Sequence, residues 1–263
     1  MRLLIAPNAF KNSLTAPDAA EAIRLGLLQS GLRCSIRSFP IGDGGDGTGS
    51  LIVHHGGGMF HETQANDPLG RKISTSIGFI DDGRTAVIEM ADISGLKLLK
   101  EKEKDPLHAS SFGTGELIRI ALDRGARKII LGIGGSATVD GGCGMLQALG
   151  AVFLDQAKKE LTTLPEKLVH LDAIDIVGID KRIWDTELIV LCDVDNQLLG
   201  EQGAATVFGP QKGASKEQVQ VLEKGLQQLK KVSLLQTGKD MNALRHGGAA
   251  GGAAAGLHIF LHA

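Results

Sequence analysis

The chain has 263 residues, with 28 Lys+Arg against 30 Asp+Glu, 43% hydrophobic residues, eight Phe, one Trp and no Tyr. A chain this long buries roughly 70–75% of its unfolded surface, enough for one large or two modest domains. A net charge of −2 with both signs interspersed, and so few aromatic rings, supply neither a phosphate-tracking stripe nor a base-stacking platform, so nucleic acid is excluded as the expected partner.

The first elements read strand, loop, helix. Leu3 to Ala6 is a short apolar run that Pro7 ends, too short for a signal-peptide apolar region. Thr15 with Asp18 three residues on marks a helix start, Ala19, Ala20, Ile23 and Leu27 give its buried face, and Gly31 stops it. An apolar strand without alternation that leads into a helix predicts a parallel sheet covered on both sides. From Thr63 to Glu89 the pattern alternates through Ile73, Thr75, Ile77 and Phe79, turns at Asp81-Asp82-Gly83 and resumes at Thr85, which predicts a hairpin with one wet face. Lys97 to Asp105 reads as a charged surface stretch.

The strand and helix units return after that. A helix from Gly115 to Asp123 stops at Gly125 and feeds a strand from Lys128 to Ile133; a similar unit is expected at Met145 to Leu154; and the run Leu188 to Cys192 ends in Asp193. Ser215 with Gln218 caps a helix to Lys231 whose stripe is Val219, Leu222, Leu226 and Leu229. The uncharged tail from Gly247 to Ala263 is short and weakly apolar for a membrane span. It closes on Leu257, Ile259, Phe260 and Leu261 without a stop signal, which reads as the end of a truncated or split product.

Glycine is the compositional outlier, with 36 residues, about twice the usual ~7%. The glycines cluster where apolar runs end, at positions where backbone N–H groups can face a ligand. No Gly-x4-Gly-Lys-Ser/Thr is present, which rules out a Walker-type NTPase. Gly132-Ile133-Gly134-Gly135-Ser136-Ala137 satisfies the dinucleotide fingerprint G-x-G-x-x-A, with Asp155 beyond it, but Thr138-Val139-Asp140-Gly141-Gly142 interrupts the helix that the fingerprint requires. The same loop reads as a phosphate cradle or as a plain glycine turn. Asn8, Lys11, Asp43, Gly134 and Asp193 would all project from the carboxyl ends of strands, where ligands collect in open α/β sheets. Lys212, Asp46 and Asp195 stand in comparable polar loops. His54, His55 and His61 lack metal-ligand spacing, and Cys34, Cys143 and Cys192 fit a reduced, cytoplasmic chain.

Ile5 to Thr15 resembles the IAPDSFKGSLT opening of the bacterial glycerate kinase family. Pro40 to Thr48 is similar to its PMADGGEGT, Glu89-Met90-Ala91 with Ser94-Gly95-Leu96 to EMA..SGL, and Gly113 to Ile118 to GTGELI. Gly132 to Gly142 is similar to GIGGSATNDGG, Cys192 to Asn196 to CDVDN, and Phe208 to Ala214 to FGPQKGA. The motifs are collinear and span nearly the whole chain; Asn8, Val139 and Gln197 depart from them.

The resemblance implies an α/β protein, with a flavodoxin-like (Rossmann-like) parallel-sheet domain, a second α/β domain and a cleft between them. Residues 1–62 would begin the first domain, 63–240 would form the second, and 241–263 would return toward the first, truncated. The implied reaction is ATP-dependent phosphorylation of D-glycerate, to 2-phosphoglycerate rather than 3-phosphoglycerate, with Mg2+. Asp43, Asp193 and Lys11 would be catalytic, with Asp43 and Asp193 also holding the metal. Asn8, Ser13, Gly44, Gly45, Asp46, Gly134, Gly135, Ser136, Asp195 and Lys212 would bind substrate or nucleotide. No membrane partner is expected; a homodimer or a complementing C-terminal fragment is. The competing readings are an NAD(P)-dependent oxidoreductase and an inactive kinase-like fragment.

Overall fold

The computed structural model describes residues 1–263 apart from Lys11, Asn12 and Asp46. Lys11 and Asp46, both expected in the site, therefore lie outside the described residues.

β1 (Arg2–Ile5) leads through a loop to α1 (Ala16–Gln29), which Thr15 caps by accepting from the Asp18 N–H. β2 (Ser35–Ser38) pairs parallel with β1 as a sheet of two strands, and α2 (Thr48–His55) follows. α1 does not bury the whole predicted face: Ala19 and Ala20 are buried, but Ile23 is 43% exposed, because two strands cannot cover a four-turn helix.

The larger sheet has the order β3 (Met59–Asn66), β4 (Lys72–Ile80), β5 (Thr85–Glu89), β6 (Lys128–Gly132), β9 (Glu187–Leu191). β3, β4 and β5 are antiparallel, as the alternation predicts, whereas β5, β6 and β9 run parallel. Between β5 and β6 lie α3 (Ala91–Ser94) and α4 (Phe112–Asp123). Ile77, Ile88, Leu117, Ile129 and Leu131 form the core of this layer.

α5 (Cys143–Leu149) and β7 (Val152–Leu154) occupy the stretch where a further strand and helix unit is expected. β7 stays out of the large sheet. It pairs antiparallel with β8 (Ala173–Asp175), because Gly150 turns the chain back over α5, which leaves only three residues for pairing. After β9 come α6 (Ala204–Phe208), α7 (Lys216–Thr237) and α8 (Ala249–Leu261). Ser215 and Gln218 form the predicted reciprocal cap of α7, and Leu222, Leu226 and Leu229 are buried beneath it. α8 joins the same core through Ala253, Leu257 and Phe260. Its first turn passes so close to residues 138 and 139 that any side chain at Gly251 would overlap the Thr138 carbonyl. Among the described residues no helix is long and apolar enough to cross a membrane.

Candidate active site

Five strands end on one cavity. It has a volume of about 1010 Å³, and its walls come from the loops that leave the carboxyl ends of β1, β2, β5, β6 and β9. Asn8 and Ser13 follow β1, Asp43 and Gly45 follow β2, Glu89 ends β5, Gly134 and Gly135 follow β6, and Asp193 follows β9. A parallel strand directs its outgoing loop to one end of the sheet, so the small and the large sheet both present that end to the same space.

The loops touch through their backbones. A Cβ on Gly134 would lie 3.0 Å from the Gly45 Cα and 3.2 Å from the Gly44 carbonyl oxygen, and one on Gly44 would lie 3.6 Å from the Cys192 carbonyl carbon. Glycine at these positions lets three loops from distant parts of the chain close to van der Waals distance. The β2 loop is closed on the start of α2 by the Gly44 N–H donating to Thr48 Oγ1 at 3.1 Å, and α2 is tied to the end of β5 by the Gly49 N–H donating to Glu89 Oε1 at 2.6 Å.

Asp43 is held from two sides. Its Oδ1 accepts from the Gly45 N–H at 3.1 Å and its Oδ2 from Asn8 Nδ2 at 2.7 Å. The Gly45 N–H and then Asn8 lower its pKa, by stabilising the carboxylate. Asn8 stands where the resembled motif has Asp; here an amide supplies a donor to Asp43, where a second carboxylate would repel it. Asp193 lines the cavity with no hydrogen-bond partner among the described residues.

Other expected residues lie elsewhere. Lys212 is 3% exposed, and its Nζ donates to Ser136 Oγ at 2.9 Å and to the Thr138 carbonyl at 2.7 Å, behind the cavity wall. The Ser136 hydroxyl is correspondingly turned inward. Asp195 sits outside the lining, its side chain 66% exposed and paired with Arg245 at 3.1 Å. Gly44 supports the wall without lining it.

The first turn of the helix after the cradle is already occupied by a side chain of the protein. Buried Asp140 accepts from the N–H groups of Ser111, Gly142 and Gly144 and from Ser111 Oγ, at 2.6–3.2 Å. α5 begins only at Cys143, so the dinucleotide fingerprint lacks the helix that would receive a pyrophosphate.

The sequence reading missed three lining residues, Glu89, Asp92 and Lys97. Lys97 looks like part of a solvated charge run, yet its segment is fastened to the cradle by the Leu96 N–H donating to the Gly135 carbonyl at 2.9 Å, and Lys97 Nζ donates to Asp92 at 2.7 Å. Only the proximity of its motif to Glu89 could have signalled this.

The profile of the glycerate kinase family matches residues 3–263. The chain belongs to the glycerate kinase family. It is 43% identical over its full length to the glycerate kinase of Bacillus subtilis (strain 168), covering 69% of that protein. It is equally similar, with the same shares, to the glycerate 2-kinase of Escherichia coli (strain K12). A crystal structure of a Salmonella typhimurium LT2 protein given the name glycerate kinase 2 superposes with a TM-score of 0.90 at 42% identity, covering 100% of this chain and 70% of that one. Family membership makes the chain an enzyme, a kinase.

Proposed function

We propose that this member of the glycerate kinase family transfers the terminal phosphoryl group of ATP to D-glycerate, with preference for the 2-hydroxyl, in the cavity where five strand ends meet. That convergence is the single observation that carries the reading. The name of the Escherichia coli relative supports the 2-hydroxyl. We further propose that residues 1–62, with the two-stranded sheet, belong to a flavodoxin-like domain, that residues 63–240 form the second domain, and that the cavity is the cleft between them.

Charge supports a divalent cation. Asp43, Glu89, Asp92 and Asp193 line the cavity against Lys97 and His54 among the described residues, so a triphosphate entering alone would meet an excess of like charge. Mg2+ keeps several waters and needs only one or two protein carboxylates beside substrate phosphates, so the residues fit it although no three His, Cys, Asp or Glu cluster among the described residues. Asp43 would hold it. When bound, it neutralises phosphate charge.

The chain's own residues divide the remaining work. Gly134 and Gly135 line the cavity, and their N–H groups donate to nothing among the described residues, so they are available to phosphoryl oxygens. Asp43, with both oxygens already accepting hydrogen bonds, is the weaker base and the better cation ligand. Asp193 is the better acceptor for the glycerate hydroxyl proton. Lys97 brings an ammonium to the lining, paired there with Asp92 at 2.7 Å.

The test is ATP consumption with D-glycerate, with magnesium and with chelator, and phosphorus NMR of the product. Glycerate-dependent, chelator-sensitive formation of 2-phosphoglycerate is expected. Turnover without magnesium would refute the cation assignment, and 3-phosphoglycerate would refute the hydroxyl preference. Mg·ATP should also protect the fold against heat, by about 2.7 kcal/mol at a hundred times its Kd, whereas protection by NAD(P)H alone would favour an oxidoreductase.

A further inference from the structure

We propose that Lys212 is a positioning residue for phosphoryl transfer, which acts through Ser136 and Thr138 to hold the Gly134–Gly135 wall against the cavity. This rests on the reading that the cavity takes ATP. The lysine lies in the turn Pro210–Lys212, far along the chain from the segment it grips. Its two hydrogen bonds go to a hydroxyl and a main-chain carbonyl, both neutral, at 2.9 and 2.7 Å. The charge of Asp140 reaches Lys212, but no carboxylate lies within ion-pair distance of its Nζ among the described residues, and Asp140 accepts instead from Ser111, Gly142 and Gly144.

Stability alone does not account for such a residue. Burying an amine has a desolvation penalty that an apolar side chain of similar volume avoids, so this one is expected to fix a specific geometry. The segment it grips needs fixing. β6 ends at Gly132, with the Ile133 N–H still donating to the Leu191 carbonyl, and α5 starts at Cys143, so neither sheet nor helix sets the backbone from Gly134 to Thr138. Among the described residues the stretch from Gly134 to Thr138 has two other backbone ties, the Leu96 N–H to the Gly135 carbonyl and the Ala137 N–H to the Ser94 carbonyl, both at 2.9 Å and both on the side of the β5 loop. Lys212 provides the tie from the α6–α7 side. Between these anchors the N–H groups of Gly134, Gly135 and Ser136 donate to nothing among the described residues. Where those donors aim is set by what holds residues 136 and 138.

Steady-state kinetics and calorimetric titration with a non-hydrolysable ATP analogue and magnesium test this on wild type, Lys212→Met and Ser136→Ala. Ser136→Ala removes one of the two bonds without adding bulk, so it keeps the test open if Lys212→Met fails to fold. For Lys212→Met we expect KM for ATP and the analogue's Kd to rise at least fivefold, kcat to fall at least tenfold, and KM for glycerate to stay within twofold. Ser136→Ala should repeat the pattern in smaller measure, and the double variant should be no worse than Lys212→Met alone. A merely structural role would reduce the active fraction and lower kcat while both KM values stayed put. That result, or an unchanged KM for ATP in Ser136→Ala, overturns the proposal. Wild-type protein that neither binds the analogue nor phosphorylates glycerate overturns the functional reading, and this inference with it.

Discussion

Replacing Gly134 by alanine tests the contact on which the cavity is built. The new Cβ would lie 3.0 Å from the Gly45 Cα and 3.2 Å from the Gly44 oxygen, inside ordinary van der Waals range, and both neighbours are backbone. The β2 loop cannot retreat freely, because Gly44 already lies near Cys192 and Asp193. The two loops must therefore part by a few tenths of an ångström. Overpacking of this kind destabilises by about 1–3 kcal/mol, and at this chain length each kcal/mol lowers Tm by about 2–4 °C. Transfer geometry is less forgiving: displacement by 1 Å reduces rate about 100-fold, so a shift of a few tenths should lower kcat/KM by roughly 10-fold or more. Melting and kinetics on one preparation compare the two effects. A clear fall in Tm with kcat/KM within twofold of wild type would refute the argument that this contact places catalytic donors.

Other consequences are checked as directly. Asp193→Asn should reduce kcat by at least 100-fold with Tm within a few degrees of wild type, since that carboxylate has no partner to lose among the described residues; unchanged turnover removes it from the mechanism. Asp140→Ala leaves four donors around a buried site without their acceptor, each worth about 1–3 kcal/mol, and should take most of a typical stability; a cooperative melt near the wild-type Tm would contradict this. Burial pulls the Lys212 amine down to about 7, against the opposing pull of Asp140, from an ordinary value of 10.5. Between these values the unfolded chain holds the proton that the native chain has released, so stability rises with pH across that window, by up to about 1.4 kcal/mol per unit. A neutral amine retains two hydrogens for Ser136 and Thr138, so its bonds survive the change. Urea midpoints from about pH 7 to about pH 10 should climb for wild type and less for Lys212→Met; parallel curves would show that the buried amine is not the group responsible.

What the sequence determined by itself is what neighbouring residues decide. The apolar runs of β1, β6 and β9, the Thr15 and Ser215 caps, the β4–β5 turn and the glycine clusters at strand ends all rest on interactions within a few positions, and each is legible in order along the chain. Ordered strand ends also made Asn8, Asp43, Gly134 and Asp193 natural companions before any geometry was known. Tertiary structure alone decided which way a polar side chain faces. Lys212 and Asp195 occupy similar polar loops, yet one is buried against the cradle by α6 and α7 and the other is left in solvent beside Arg245. Lys97 joined the cavity because two backbone bonds, from Leu96 to Gly135 and from Ala137 to Ser94, bring the start of a charged stretch onto the cradle, and β7 left the main sheet because a turn over α5 gave it a different partner. These outcomes depend on contacts between residues tens of positions apart, which no local pattern encodes.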